Sequence, residues 1–311
     1  MLKTFLVALS VVFTMLLYAV PGFALVKTKL IKENGISAFA KLLMCVCSPC
    51  LVYSSITRNS FSKDLAFKLV FAFLFITAVF LLVLLIFHFV FKKKREDERY
   101  RIFNLATTFA NCGFMGVPVL EALFPGYSEA IAFSAMASLS MNILAWSVGA
   151  YLISQDKKYI SPKKIFFNPA TIALLISLPI FVFGIQTPKV FGDAIGLLAK
   201  MTTPLCMLIM GMRLACVPPK DVFLRPMQYL IVLIKQIAFP LMVLLILLPL
   251  PLDSQMKASI YILTACPVAT VILNMSEMIG KGQKSAASLV LLGTTLSIIT
   301  IPLMSLLIAV F

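Results

Sequence analysis

The stretch Asn111-Cys112-Gly113-Phe114-Met115-Gly116-Val117-Pro118 decides how the chain is read. It lies in an apolar run, yet two glycines and a proline crowd its second half. Proline lacks an N–H and its ring collides with the carbonyl one turn back, while glycine tolerates unwound backbone. A helix is therefore expected to open here. At membrane depth, freed backbone groups are tolerated only where protein or a watery cavity surrounds them. The stretch thus implies a cavity, with the amides of a half-helix N-terminus able to meet an anion. Asn111 adds a neutral donor for a carboxylate without placing a charge in the bilayer. Its structural alternative is a hydrogen bond between helices.

Outward from this stretch the chain is built for lipid. Of its 311 residues 61% are hydrophobic and 13% charged, against about half and a quarter in soluble domains. Apolar runs of about 20 residues, enough to cross roughly 30 Å of hydrocarbon, recur throughout. Residues 4–26, 36–57, 65–91, 100–122, 128–153, 168–186, 190–213, 227–250, 256–279 and 285–310 read as spans. The expected fold is an all-α integral membrane protein of ten transmembrane helices. A net charge of +15 would suggest nucleic acid in a soluble protein, but here the basic residues sit between the runs, as an orientation signal. The connections after the odd-numbered spans hold 18 Lys and Arg; the opposite side holds Lys3, Arg58, Lys63, Lys68, Lys189 and Lys257. Both termini are then extracytoplasmic, and Lys92-Lys93-Lys94-Arg95 is a cytoplasmic topology anchor. The first run also has the makings of a signal peptide, with Lys3 before it and Gly22-Phe23-Ala24 at its end. Cleavage there would leave nine spans.

The two halves echo each other. Ser48-Pro49-Cys50-Leu51 in the second run resembles Thr203-Pro204-Leu205-Cys206 in the seventh, and Pro118 and Pro267 follow at separations of 69 and 63 residues. Residues 1–155 and 156–311 are expected to be two copies of a five-span unit, inverted because five is odd. Inverted repeats with a broken helix at the same place in each point to a substrate site at the midplane. Around its own break the ninth run offers Thr264, Pro267, Thr270 and Asn274. Asn142 is the other deep amide, in the fifth run.

These residues resemble the auxin efflux carrier family over the whole chain. Asn111 to Pro118 looks like its broken fourth helix, and Pro204 to Gly211 like its seventh. Pro267, Glu277 and Gly280 fall at the spacing of its ninth, and Asn142-Ile143-Leu144-Ala145-Trp146 is similar to its fifth-helix segment. The resemblance implies that helices 4 and 9 cross at their prolines. Asn111 and Asn142 would contact the substrate carboxylate, with amides supplied by the backbone near Gly113, Gly116, Pro118 and Pro267. It further implies a crossing domain moving against a scaffold of spans 1, 2, 6 and 7, and a homodimer formed through that scaffold. The expected function is a secondary transporter of the cell membrane that moves a small organic carboxylate by elevator-type alternating access. Related sodium-coupled carriers place acidic residues at the crossing. Here none lies near either break, Glu121 and Glu277 being nearer the ends of their runs, so export without sodium coupling is expected. The alternatives are a sodium- or proton-coupled organic-anion symporter and a non-transporting sensor on the same fold.

Three lysines fall inside apolar runs. Lys41 and Lys200 are expected to snorkel or to cap a cavity edge, and Lys235 either to draw anions into a cytoplasmic vestibule or to neutralise helix C-termini. His88, at the basic end of the third run, reads as an interface anchor. Cys45, Cys47, Cys50, Cys112 and Cys266 read as packing residues, since the Cys45-x-Cys47-x-x-Cys50 spacing spreads thiols over different helix faces. With no visible metal set, acidic pair or Ser/His or Cys/His arrangement, the sequence predicts neither an enzyme nor a cofactor.

Overall fold

The computed structural model describes residues 1–160 and 162–311. In chain order the helices are α1 (Leu2–Lys27), α2 (Glu33–Thr57), α3 (Lys63–Val90), α4 (Glu98–Thr108), α5 (Cys112–Leu123), α6 (Glu129–Ser154), α7 (Pro169–Val182), α8 (Lys189–Cys216), α9 (Pro226–Leu247), α10 (Ser254–Ala265), α11 (Val271–Ile279) and α12 (Gln283–Val310). Seven of them, α1, α2, α3, α6, α8, α9 and α12, are long and apolar enough to cross a membrane, and α5 and α7 are shorter apolar helices. Side-chain caps begin several: Ser62 accepts from Leu65 N–H (3.0 Å), Asn168 from Ala170 N–H (3.0 Å) and Asp253 from Met256 N–H (2.9 Å). Such caps satisfy N–H groups that a helix cannot pair by itself. Gly280 closes α11 with φ +78°, a left-handed conformation that glycine adopts without penalty.

The interrupted helices are the most enclosed. In α4 every residue from Ile102 to Thr108 is buried, as is every residue of α10 from Ala258 to Ala265. Large apolar side chains of α1 (Leu6, Phe13), α3 (Phe67, Leu74), α7 (Leu175, Ile176) and the first half of α8 (Val190, Phe191) are exposed instead, as suits surfaces that face lipid. Between α5 and α6, Tyr127 donates to Glu129 Oε2 (2.9 Å) and Asp253 Oδ2 (3.3 Å). Burial, followed by the two carboxylates, raises the pKa of its hydroxyl.

Three prolines share one local solution. Wide π-turns at 43–47, 112–116 and 234–238 end two residues before Pro49, Pro118 and Pro240 respectively. A wide turn moves the preceding carbonyl away from the pyrrolidine ring, so the helix continues through the proline. For the fourth run this corrects the expected position of the opening. Pro118 sits in the first α-turn of the second segment of α5, and the run opens earlier, at Phe109–Asn111.

Helices α1 and α8 cross with backbone almost touching backbone. A Cβ on Gly22 would lie 2.0 Å from the Leu208 carbonyl oxygen, and one on Gly211 would lie 1.9 Å from that of Ala19. Small residues at such crossings allow the close packing that holds membrane helices together. Gly211→Val should therefore destabilise the detergent-solubilised protein by about 1–3 kcal/mol, the usual scale of forced overpacking, seen as a lower melting temperature. Gly196→Ala, on the same helix but with open space around it, should leave the melting temperature unchanged.

Candidate functional site

The two interrupted runs meet at their gaps and pair there. Asn111 N–H donates to the Pro267 carbonyl (2.8 Å) and Ala269 N–H to the Phe109 carbonyl (3.0 Å), with Ala110 opposite Val268 in a single antiparallel bridge. Each gap supplies what the other lacks, so backbone that has left its helix is satisfied within the protein. The second gap opens at Pro267, as the sequence predicts. Antiparallel pairing sends α5 and α11 away from the crossing in opposite directions, so their tips reach opposite ends of the molecule.

Beside the crossing lies a cavity of about 80 Å³ whose lining, among the described residues, carries no Lys, Arg, Asp or Glu. Its polar groups are asparagines, serines and a threonine: Asn111, Asn142, Asn168, Asn274, Ser48, Ser55, Ser134, Ser138 and Thr270. Gly113 also lines it, and its missing Cβ lets Ser138 Oγ come within 3.2 Å of where that atom would be. The decisive group is the side chain of Asn111. It is 3% exposed, and its Nδ2 has no hydrogen-bond partner. A buried amide donor left unpaired costs free energy that a ligand can recover by accepting its hydrogen bond.

Of the residues singled out by sequence, the cavity wall unites Asn111, Gly113, Asn142, Thr270 and Asn274. Gly116, Pro118, Thr264 and Pro267 lie off it. Gly116 makes room for Leu263, whose Cδ2 would be 2.7 Å from an added Cβ. Pro118 leaves the Phe114 carbonyl without its helical partner, and Thr203 Oγ1 fills the vacancy at 2.9 Å. Thr264 donates from Oγ1 to the Tyr261 carbonyl (2.7 Å) and accepts at its own carbonyl from Lys235 Nζ (2.6 Å). Lys235 is wholly buried against that carbonyl and the Phe239 ring, 4.6 Å away. It occupies the interior behind the crossing, where it caps the C-terminus of α10, and faces no vestibule. Lys41 and Lys200 are exposed, Lys200 at the rim of a second cavity. Sequence reading missed Asn168, because as the N-cap of α7 its local role looks complete, and it missed the serines, which are too common in helices to stand out.

The second cavity, of about 340 Å³, backs onto the first, sharing Leu51, Ser55 and Val117 with it. At its edge Arg58 pairs with Glu121 at 3.1 Å, joining the end of α2 to α5. At the other end Arg213 of α8 pairs with Glu277 of α11 and donates to Asn274 Oδ1 (3.3 Å). Arg58 follows Pro49 by nine residues and Arg213 follows Pro204 by nine.

Unwound backbone deep among apolar helices, sealed by its own pairing and bordered by a polar cavity, is how membrane transporters build a substrate site. The family model described as membrane transport protein matches residues 6–305, and the chain belongs to that family, the auxin efflux carriers. It is thus a multi-pass membrane protein that transports a small molecule and is not an enzyme. A search of curated proteins found no match. Because the helix through Pro118 depends on Thr203, Thr203→Val should leave the Phe114 carbonyl unpaired and destabilise the protein by about 1–3 kcal/mol. Thr203→Ser should restore most of that in the same thermal denaturation measurement.

Proposed function

We propose that the chain moves a small organic carboxylate across the cell membrane by elevator-type alternating access, outward and without sodium coupling. Ten spans in two inverted repeats, 1–155 and 156–311, with both termini extracytoplasmic, would carry it out, in a homodimer held through the scaffold. The observation that carries this reading is the polar cavity at the crossing, uncharged among the described residues, with Asn111 in its wall and the buried Nδ2 of that residue unpaired. Asn142, Thr270 and Asn274 border the same space and can complete the hydrogen bonds of a carboxylate. The cavity holds only a small part of a large ligand, so an apolar body would extend along Met44, Phe114 and Met141, which also line it. A monoanion leaving through a negative-inside potential gains roughly 2.3 kcal/mol per 100 mV, enough to drive export without a coupling ion.

Alternating access is supported by the placement of the two ion pairs. Each ties a crossing-domain segment (α5 or α11) to a scaffold helix (α2 or α8), and they lie at opposite ends. Displacing α4, α5, α10 and α11 along the scaffold of α1, α2, α7 and α8 would break one pair in each direction.

The test is flux of labelled malate and phenylacetate through proteoliposomes, with the membrane potential clamped and sodium and pH gradients varied. Saturable flux that follows the potential, ignores sodium and falls at least tenfold in Asn111→Ala is the expected result. Absence of saturable flux from protein shown to be folded, or flux that requires sodium, would defeat the reading.

A further inference from the structure

The cavity poses an electrostatic question, since amides and hydroxyls both donate and accept. Such a lining can bind a carboxylate or its neutral amide with similar numbers of hydrogen bonds. Selecting the anion requires positive charge, and among the described residues none lines the wall. The nearest buried cation in the fold is Lys235. Its side chain is completely enclosed, and among the described residues no carboxylate pairs with it. What it has is the Thr264 carbonyl at 2.6 Å and the face of Phe239. A helix C-terminus offers about half a negative charge and an aromatic face less, so a full ammonium keeps an unbalanced positive field.

Its location ties that field to the site. Lys235 Nζ binds the Thr264 carbonyl, and Cys112 Sγ donates to the adjoining Leu263 carbonyl at 3.6 Å. Both groups therefore grip one turn of α10, and Cys112 is the residue after Asn111. Gln236, next along, donates to the Gly293 carbonyl (2.8 Å), and a Cβ on Gly293 would be 3.5 Å from Val268 N in the second gap. The π-turn at 234–238 thus stands directly behind the crossing. No charge is required at position 235 for that role, because a neutral donor can also cap the Thr264 carbonyl.

We propose that Lys235 is the specificity-determining counter-charge of the site: it touches no substrate, but from behind the crossing it makes a neutral cavity prefer an anion. The proposal rests on the carboxylate reading above. At an effective dielectric constant of about 20, a charge held one layer of side chains behind a site alters a binding constant by about tenfold, which is the scale to expect. The field is screened less than that of a surface lysine because no water reaches the amine.

The experiment compares malate and phenylacetate with their amides in proteoliposomes at zero potential, for the wild type, Lys235→Arg, Lys235→Met and Lys235→Gln. Gln keeps a donor for the Thr264 carbonyl, and Met replaces a buried charge with an apolar chain of similar length, an exchange that proteins often tolerate. The wild type should favour carboxylate over amide. Met and Gln should raise KM for the carboxylate about tenfold, leaving the maximal rate and the KM of the amide unchanged, and Arg should retain the preference. If Met and Gln discriminate as the wild type does, the proposal is overturned while the carboxylate reading stands. If both variants fail to fold, Lys235 is structural and the proposal is likewise overturned. If the wild type transports amides as readily as carboxylates, or none of the four, the carboxylate reading itself fails.

Discussion

Inside hydrocarbon, each backbone N–H and carbonyl that leaves a helix must find another partner, because water is not there to provide one. This chain leaves its helices twice in the same small volume, at Phe109–Asn111 and at Cys266–Thr270. The two gaps answer each other through the Asn111–Pro267 and Ala269–Phe109 hydrogen bonds. That single bridge fixes where the interrupted helices cross, which way α5 and α11 depart, and which side chains face one another. The main chain of Asn111 is committed to Pro267, while the residue lines the cavity and its buried Nδ2 stays unpaired. Everything nearby is arranged to protect the exchange: Ser134 Oγ donates to the Cys112 carbonyl (2.8 Å), Lys235 covers the end of α10 and Leu263 fills the space left by Gly116.

How much of this can be read from the chain depends on how local each cause is. Apolar length and basic punctuation are one-dimensional, so the helical runs are legible. Gly and Pro mark interrupted runs because they act on their own backbone. What they leave open is the register of the opening. At Pro267 the proline and the gap coincide, whereas at Pro118 the helix survives because a hydroxyl 89 residues away, that of Thr203, accepts the task of satisfying the Phe114 carbonyl. No local pattern contains that information. The same distinction divides the candidate site. Asn111, Asn142, Thr270 and Asn274 are conspicuous as polar groups in apolar surroundings, and all reach the cavity. Gly116, Pro118, Thr264 and Pro267 are equally conspicuous, but their irregularity is used to build the crossing. Lys235 is visible as a charge at membrane depth, and only tertiary packing reveals that its amine is turned inward to Thr264.

An arginine stands nine residues beyond each of Pro49 and Pro204. Each joins the end of a long helix, α2 or α8, to a segment that starts at the crossing, yet the two ends are not equivalent. The Arg58 side chain is 39% exposed and that of Arg213 only 13%. Both carboxylates are 48% exposed, so solvent screens both pairs and neither contributes much by its charge alone. Arg213 also reaches Asn274, a wall residue of the cavity, while Arg58 contacts no asparagine of that wall. The difference between the ends is therefore the link from Arg213 to the cavity wall. Asn274 thus joins the cavity wall and the Arg213–Glu277 pair in one hydrogen-bonded network.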